Sequence, residues 1–348
     1  MDFSRVLVGL AGLALLGFYF RSISVAALLS QRRNDLVLRS ISRAVRWALS
    51  RCGGRAGMQA RMDWFMPLQV LLTVVVWFAW LTLGFACLYW ASGATQGAMD
   101  ALVASGSALS TLGFLTPDNL AGRWLAIAEG MLGLIAVVYL FTFVPGFLST
   151  LQNRSQHVGW VAVRSGHPPR VPVLLAEALG DTSTELWSRS EDWFRLLSVT
   201  HPTAPELAFM PSFLRGQSWT HTAALVLEAA TLASLSLPDE RARPARICLA
   251  VGARAMREIA TALDLDTARR EDRDECVAVM ASWLGELRAQ NVSVESTSEA
   301  LTANWWRARS EWAPALAAIA DATGSSFEPG LCLWADGQHQ SERDRSNI

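Results

Sequence analysis

Long apolar stretches fill the first half of the chain, and a helical alternation of polar and apolar positions fills the second. Apolar residues run from Val6 to Phe20, pause at Arg21 and resume at Val25, which predicts a first membrane helix over residues 6–29. Residues 68–90 form a second apolar run with no charge, and residues 124–148 form a third whose only charge is Glu129. Each has the roughly 20 residues that a helix needs to cross a bilayer. Residues 98–109 are also apolar and small, but too few to span.

From His157 the composition changes, and Gly166, Pro168 and Pro169 mark a linker. Beyond it the spacing of apolar residues predicts helices over 172–178, 184–197, 206–213, 218–235, 243–263, 268–289 and 297–323. Ser218 is placed to cap the fourth. Strand alternation is nearly absent. The expected fold is an all-α membrane protein followed by a cytoplasmic α-helical bundle. The expected segments are an N-terminal transmembrane helix (1–30), an Arg-rich linker (31–65), a membrane domain (66–150), a second linker (151–171), the helical domain (172–325) and a disordered tail (326–348).

Composition sharpens this division. Hydrophobic residues make up 51% of the chain and charged residues 18%, against about 25% charged in ordinary soluble domains. The net charge of −1 gives no reason to expect nucleic acid as a partner. All 30 basic residues are arginine, and their placement carries more information than their sum. Arg32, Arg33, Arg39, Arg43, Arg46, Arg51, Arg55 and Arg61 lie between the first two apolar runs. Arg154, Arg164 and Arg170 follow the third, and only Arg123 lies between the second and third. Basic flanks stay cytoplasmic, so the N-terminus is expected outside and the C-terminal domain inside the cell's inner (plasma) membrane. A secretory signal would carry its basic residues before the apolar core; here Arg5 alone precedes it and the arginines gather after it. Arg21 lies about 24 Å along the first helix from Arg5, near the inner interface where its stem can snorkel. Residues 36–49 form a helical stretch with arginines on one side, suited to the inner membrane surface and to anionic lipid. The five scattered cysteines contain no CxxC pair and predict neither a disulfide framework nor a zinc site, which fits a reducing compartment.

The chemistry concentrates between the second and third runs. The half-length segment 98–109 is followed by Ser110-Thr111-Leu112-Gly113-Phe114-Leu115-Thr116-Pro117-Asp118. Non-helical backbone at membrane depth must be buried in protein or line a water-filled path. A dehydrated cation needs oxygens in place of its water, and consecutive backbone carbonyls plus a threonine hydroxyl can supply them. Glycine permits the dihedrals that turn its carbonyl inward. A short helix directs its negative C-terminal end toward the ion. One chain offers one such loop, so a closed pore needs several copies, with four expected.

At these residues the sequence resembles the two-transmembrane potassium-channel pore family. That family runs outer helix, pore helix, a filter of the type T-x-G-Y-G-D, then inner helix. Thr111-Leu112-Gly113-Phe114 matches the first four filter positions, with Ser107 and Ser110 at the end of the pore helix. Gly122-Arg123, Glu129 and the stretch around Ser218-Trp219 resemble a bacterial subgroup in which a pore is fused to a helical cytoplasmic region. The resemblance covers roughly residues 65–235. The family's second filter glycine is Leu115 here and its aspartate is Thr116. Leucine pays a steric penalty at positive φ, so the outermost carbonyl ring is expected to be distorted or absent. The loop also resembles those of related four-repeat potassium transporters, which carry one glycine per loop.

The resemblance implies a homotetrameric cation channel in the lipid bilayer, with permeant potassium, or sodium if selection is weak, and no other cofactor or metal. Thr111, Leu112, Gly113 and Phe114 would bind the ion, and Ser107, Ser110, Leu115 and Glu129 would support the filter. Glu129 is read as a filter support, a helix cap or an ion contact; charge at this depth is costly and usually functional. Pro145-Gly146 is either a gating hinge or the end of the third helix. Gly130 and Gly133 are a second hinge or a site of close helix packing. Trp77, Trp80, Tyr89, Trp90 and Trp124 are read as belt or packing residues. Trp187, Trp193, Trp219, Trp283, Trp305, Trp306 and Trp312 are expected in the core of the helical half. His157, His167, His201, His221 and His339 are not spaced as metal ligands. No acid, base and nucleophile cluster together, so no enzyme is expected. The alternative is a weakly selective or non-conducting pore-loop protein that serves as a signalling or scaffold module.

Overall fold

The computed structural model describes residues 3–27, 36–51, 65–179, 183–210, 212, 218–268, 272–290 and 298–325. These residues are helical with no strand among them. In order come α1 (Phe3–Ala27), α2 (Leu36–Arg51), α3 (Phe65–Ala91), α4 (Ala98–Leu109) and α5 (Leu120–Ser165). Then follow α6 (Val171–Leu179), α7 (Ser183–Thr203), a 3₁₀ turn (Pro205–Phe209), α8 (Trp219–Ser236), α9 (Asp239–Ala262), α10 (Arg273–Ala289), α11 (Glu299–Ser310) and α12 (Ala313–Thr323). Residues 3–24, 68–91 and the apolar part of α5 form three helices long and apolar enough to cross a membrane. Much of the Arg-rich linker and the expected tail from 326 lie outside the described residues.

Two compact units divide the chain within α5, after Leu148. In the first, α1 crosses α3 closely. A methyl group on Gly12 would come within 2.7 Å of the Gly84 carbonyl, so small residues let the two backbones approach, as they do between membrane helices. Leu16, Tyr19, Trp77, Leu81, Phe85 and Tyr89 belong to one buried cluster of this unit, which extends to Ala101, Ala104 and Leu109 of α4. The Trp77 Nε1–H donates to Ser22 Oγ at 3.1 Å. Trp77 and Tyr89 are therefore packing residues rather than belt residues, while Trp124 is 65% exposed.

α5 has 46 residues, about 69 Å of helix at 1.5 Å per residue. That is more than twice the roughly 30 Å hydrocarbon core. Pro145 lies inside it, so the helix itself does not stop at Pro145-Gly146. The proline removes one backbone bond but the helix continues to Ser165, so it fills most of the stretch 151–171 expected as a linker.

The second unit is organised around α8. Every residue from Trp219 to Ala233 is buried, the pattern of a helix surrounded on all sides. Ser218 caps it, its Oγ accepting the Thr220 N–H at 3.2 Å. Trp187, Trp193, Trp219, Trp283, Trp305 and Trp312 are buried in the same core, with Trp306 packed against it.

The expected helix 184–197 runs on to Thr203 and the expected helix 243–263 begins at Asp239; three further differences each come from a proline or a cap. Within the expected helix 206–213 the described residues form the 3₁₀ turn Pro205–Phe209 and an extended Met210 (φ −83°, ψ 130°), as the residue before a proline prefers. The expected helix 297–323 is two helices. The chain breaks at Trp312 (φ −127°, ψ −33°) so that Pro314 falls in a new first turn. The expected helix 268–289 begins at Arg273, where the Asp272 side chain accepts the N–H groups of Asp274 and Glu275. Cys276 is disulfide-bonded, against the expectation of unpaired cysteines; Cys87 and Cys248 are free.

Candidate functional site

The half-length helix lies where the sequence puts it, over Ala98–Leu109. Ala101, Ala104, Ser105, Ser107 and Leu109 give it a buried face of small side chains. Met99, Leu102 and Val103 are exposed. After Leu109 the chain leaves the helix through Ser110 and Thr111, and Thr111 takes φ +58°. Gly113 is also left-handed, at +66°, a conformation that glycine adopts freely and threonine does not.

Ser107 makes three of the hydrogen bonds that hold the loop to the helix, beside those from Ser110 N–H to the Gly106 carbonyl and Thr111 N–H to the Ala108 carbonyl. The Gly113 N–H donates to the Ser107 carbonyl at 3.3 Å. The Leu115 N–H donates to Ser107 Oγ at 3.0 Å. Ser110 Oγ donates to the same carbonyl at 3.3 Å. Leu115 has no positive φ, so the strain that the sequence placed there lies instead at Thr111. Within the single chain Ser110, Thr111, Leu112, Gly113, Phe114 and Leu115 are all exposed, Leu112 by 72% and Phe114 by 66%.

The chain then returns to the end of α3. The Asp118 N–H donates to the Ala94 carbonyl at 3.3 Å, and Asn119 Nδ2 donates to the Ser92 carbonyl at 3.1 Å. Asn119 Oδ1 accepts the Gly122 N–H at 2.7 Å and so caps α5. A methyl group on Gly122 would sit 2.5 Å from both Ala94 Cβ and Pro117 Cβ, so only glycine fits there.

Glu129 is fully buried on α5. Tyr89 on α3 donates its hydroxyl to Glu129 Oε2 at 2.8 Å. Ser105 on α4 lies with its Oγ 2.5 Å from Glu129 Oε1. The carboxyl group thus joins three helices at one point. The sequence reading named Glu129 but missed both partners. Tyr89 looked like an interfacial aromatic, and one serine among several on a small-residue helix carries no distinguishing signal.

Gly130 and Gly133 lie against the end of α4. A methyl group on Gly133 would come 2.8 Å from Leu109 Cδ1 and 3.1 Å from the Leu109 carbonyl, and one on Gly130 3.4 Å from the Ala108 carbonyl. Gly133 therefore makes room for Leu109, while a methyl group on Gly130 would be in ordinary contact. Pro145 and Gly146 are exposed, and a methyl group on Gly146 would meet nothing within 4 Å.

The second unit holds two buried cations that the sequence did not flag. Arg154 donates to the carbonyls of Leu207 at 2.7 Å and Met210 at 2.6 Å. Its guanidinium also lies over Trp219. Arg309 donates to Glu228 Oε1 at 2.7 Å, both side chains being sealed from solvent. His157, His201 and His221 are buried as well. Burial, and then the Arg154 charge, hold His201 well below its ordinary pKa. Burial takes His221 to about 4. No group of three or more His, Cys, Asp or Glu among the described residues is placed to hold a metal ion. Comparison with protein-family models, curated proteins and solved structures finds no match to this chain.

Proposed function

We propose that four copies of this chain form a cation channel in a lipid bilayer, with α3, α4, the 110–116 loop and the first half of α5 as one quarter of the pore. The observation that carries this reading is a helix too short to span, held between two membrane-length helices, and ending in a Thr-Gly loop that is exposed in the single chain. An exposed irregular loop at membrane depth needs a water-filled path or protein neighbours, and symmetric copies supply both. Thr111–Phe114 would supply oxygens to potassium, or to sodium if selection is weak, and Ser107 would hold their backbone in place. α5 would line the inner cavity, with Pro145 and Gly146 as its bend. The second unit would carry assembly or a stimulus to that bend. This role needs no catalytic chemistry.

Arginine distribution supports a cytoplasmic second unit, with the Arg-bearing α2 at the anionic inner surface of the plasma membrane. The disulfide at Cys276 runs the other way. Labelling of engineered cysteines in the second unit from either side of sealed vesicles decides the orientation.

A second reading is favoured by Leu115, which occupies the position of the family's second filter glycine. On this reading the chain keeps a pore fold without conduction and acts as a signalling or scaffold module. Flux of potassium and sodium through purified protein in liposomes separates the two. Potassium flux well above sodium flux, lowered at least tenfold by Thr111→Ala, is the expected result. Equal flux makes the pore weakly selective. Flux unchanged by Thr111→Ala refutes the filter assignment. A particle of other than four chains in detergent refutes the architecture.

A further inference from the structure

A count of protons around Glu129 leads further. Ser105 Oγ makes two contacts, one of 2.9 Å to the Thr82 carbonyl and one of 2.5 Å to Glu129 Oε1. A hydroxyl carries one proton, and a carbonyl can only accept. When Ser105 donates to Thr82, an ionised Glu129 has nothing to give it, and two oxygens would face each other at 2.5 Å with no proton between them. A protonated Glu129 resolves this. Its own O–H then donates to Ser105 Oγ, Ser105 donates to Thr82, and Tyr89 donates to the remaining carboxyl oxygen, Oε2, at 2.8 Å. Every donor and acceptor in the chain is used once.

The surroundings agree. Tyr89, Ser105 and Glu129 are each 0% exposed. Among the described residues no basic side chain makes a hydrogen bond or ion pair to Glu129; its partners there are two hydroxyls. An isolated carboxylate inside a membrane is costly, and a neutral acid with two ordered hydrogen bonds is not.

We propose that Glu129 carries a proton and acts as a hydrogen-bond donor, a neutral acid that ties α4 to both α3 and α5. Ser105 lies two residues before Ser107, which binds the 110–116 loop through its carbonyl and its hydroxyl. Glu129 is therefore a positioning residue for that loop, and this last step rests on the proposed conduction role. Ionising Glu129 would turn the Ser105 hydroxyl away from Thr82 and release one of the ties between α4 and α3.

Infrared difference spectra of the full-length protein at neutral pH, wild type minus Glu129→Gln, test the protonation without any need for conduction. The expected result is a protonated-carboxyl C=O band present in wild type and lost in the variant, with the carboxylate bands unchanged. A difference in the carboxylate bands instead would overturn the proposal. Tyr89→Phe supplies a second measurement should Glu129→Gln fail to fold. Without the tyrosine donor the same C=O band moves to higher frequency, and a band that stays in place would overturn the assignment of partners. In the flux assay, Glu129→Gln, which can donate to Ser105 and accept from Tyr89, retains the wild-type potassium-to-sodium ratio. Glu129→Ala loses it. If both variants lose it alike, Glu129 does not position the loop through this hydrogen-bond chain.

Discussion

The Leu115 N–H and the Ser107 hydroxyl meet at 3.0 Å, so the loop that follows α4 is held by a side chain of that helix. A glycine at this position would be free to take a left-handed conformation. Leucine instead keeps a negative φ and gives its N–H to Ser107. Ser107→Ala removes that acceptor and leaves the carbonyl contact to Gly113 intact. The expected cost is about 1 kcal/mol in stability, together with a fall in the potassium-to-sodium flux ratio. A variant with unaltered ratio and unaltered unfolding temperature would show that the contact does not hold the loop.

The α5 glycines should respond differently to the same substitution. Gly133→Ala places a methyl group 2.8 Å from Leu109 Cδ1 and 3.1 Å from its carbonyl. Overpacking of this kind costs about 1–3 kcal/mol. Gly146→Ala meets nothing within 4 Å and should leave the unfolding temperature unchanged or slightly raised, since alanine favours helix. Any change in open probability from Gly146→Ala would then report a bend at that position. Equal thermal shifts from the two variants would refute the packing role of Gly133.

Glu228 and Arg309 are 0% and 1% exposed and joined at 2.7 Å. Trp305, Trp306 and Trp312 lie within 6 Å of the guanidinium. Removal of one partner strands a charge in this core and should cost about 3–5 kcal/mol. Glu228→Leu combined with Arg309→Met should recover most of that loss, because two apolar residues of similar volume replace a pair that was costly to desolvate. Chemical unfolding of the two single variants and the double variant measures the coupling. Additive losses would mean that the pair does not interact.

The buried histidines set an acid limit. Arg154 Nη1 can only donate, so its 3.4 Å contact makes His201 Nε2 an acceptor and the ring neutral. His201 and His221 both have folded-state pKa values below the unfolded one. The unfolded chain therefore binds protons, below about pH 6.5, that the folded chain refuses. Their contribution is complete above that pH and falls as pH drops, by about 1.4 kcal/mol per pH unit for each histidine. His201→Gln should make the decline in denaturant midpoint below pH 6.5 shallower. The same decline in wild type and variant would show that His201 is not responsible.

Much of the architecture was legible in the apolar pattern. The three membrane-length runs, the half-length helix 98–109, the Ser218 cap and the tryptophan core of the second unit follow from periodicity and capping, which act within one or two helical turns. Misplaced boundaries came from residues that act locally but in competition. Met210 yields to Pro211, and the break at Trp312 serves Pro314. The extent of α5 was not legible, because Pro145-Gly146 reads equally as a kink or an end until the helix on its far side is seen to continue.

The sequence by itself determined which segments are apolar and long, where arginines gather, and which loop carries threonine and glycine. Those properties are fixed by the order of residues along the chain. Only the tertiary structure decided what Glu129 touches, where Arg154 and Arg309 are buried, and that Gly133 makes room for Leu109. Tyr89 and Glu129 are forty residues apart and Glu228 and Arg309 eighty-one. Such pairs exist because helices pack, and no spacing rule along one chain encodes which side chains two packed helices bring together.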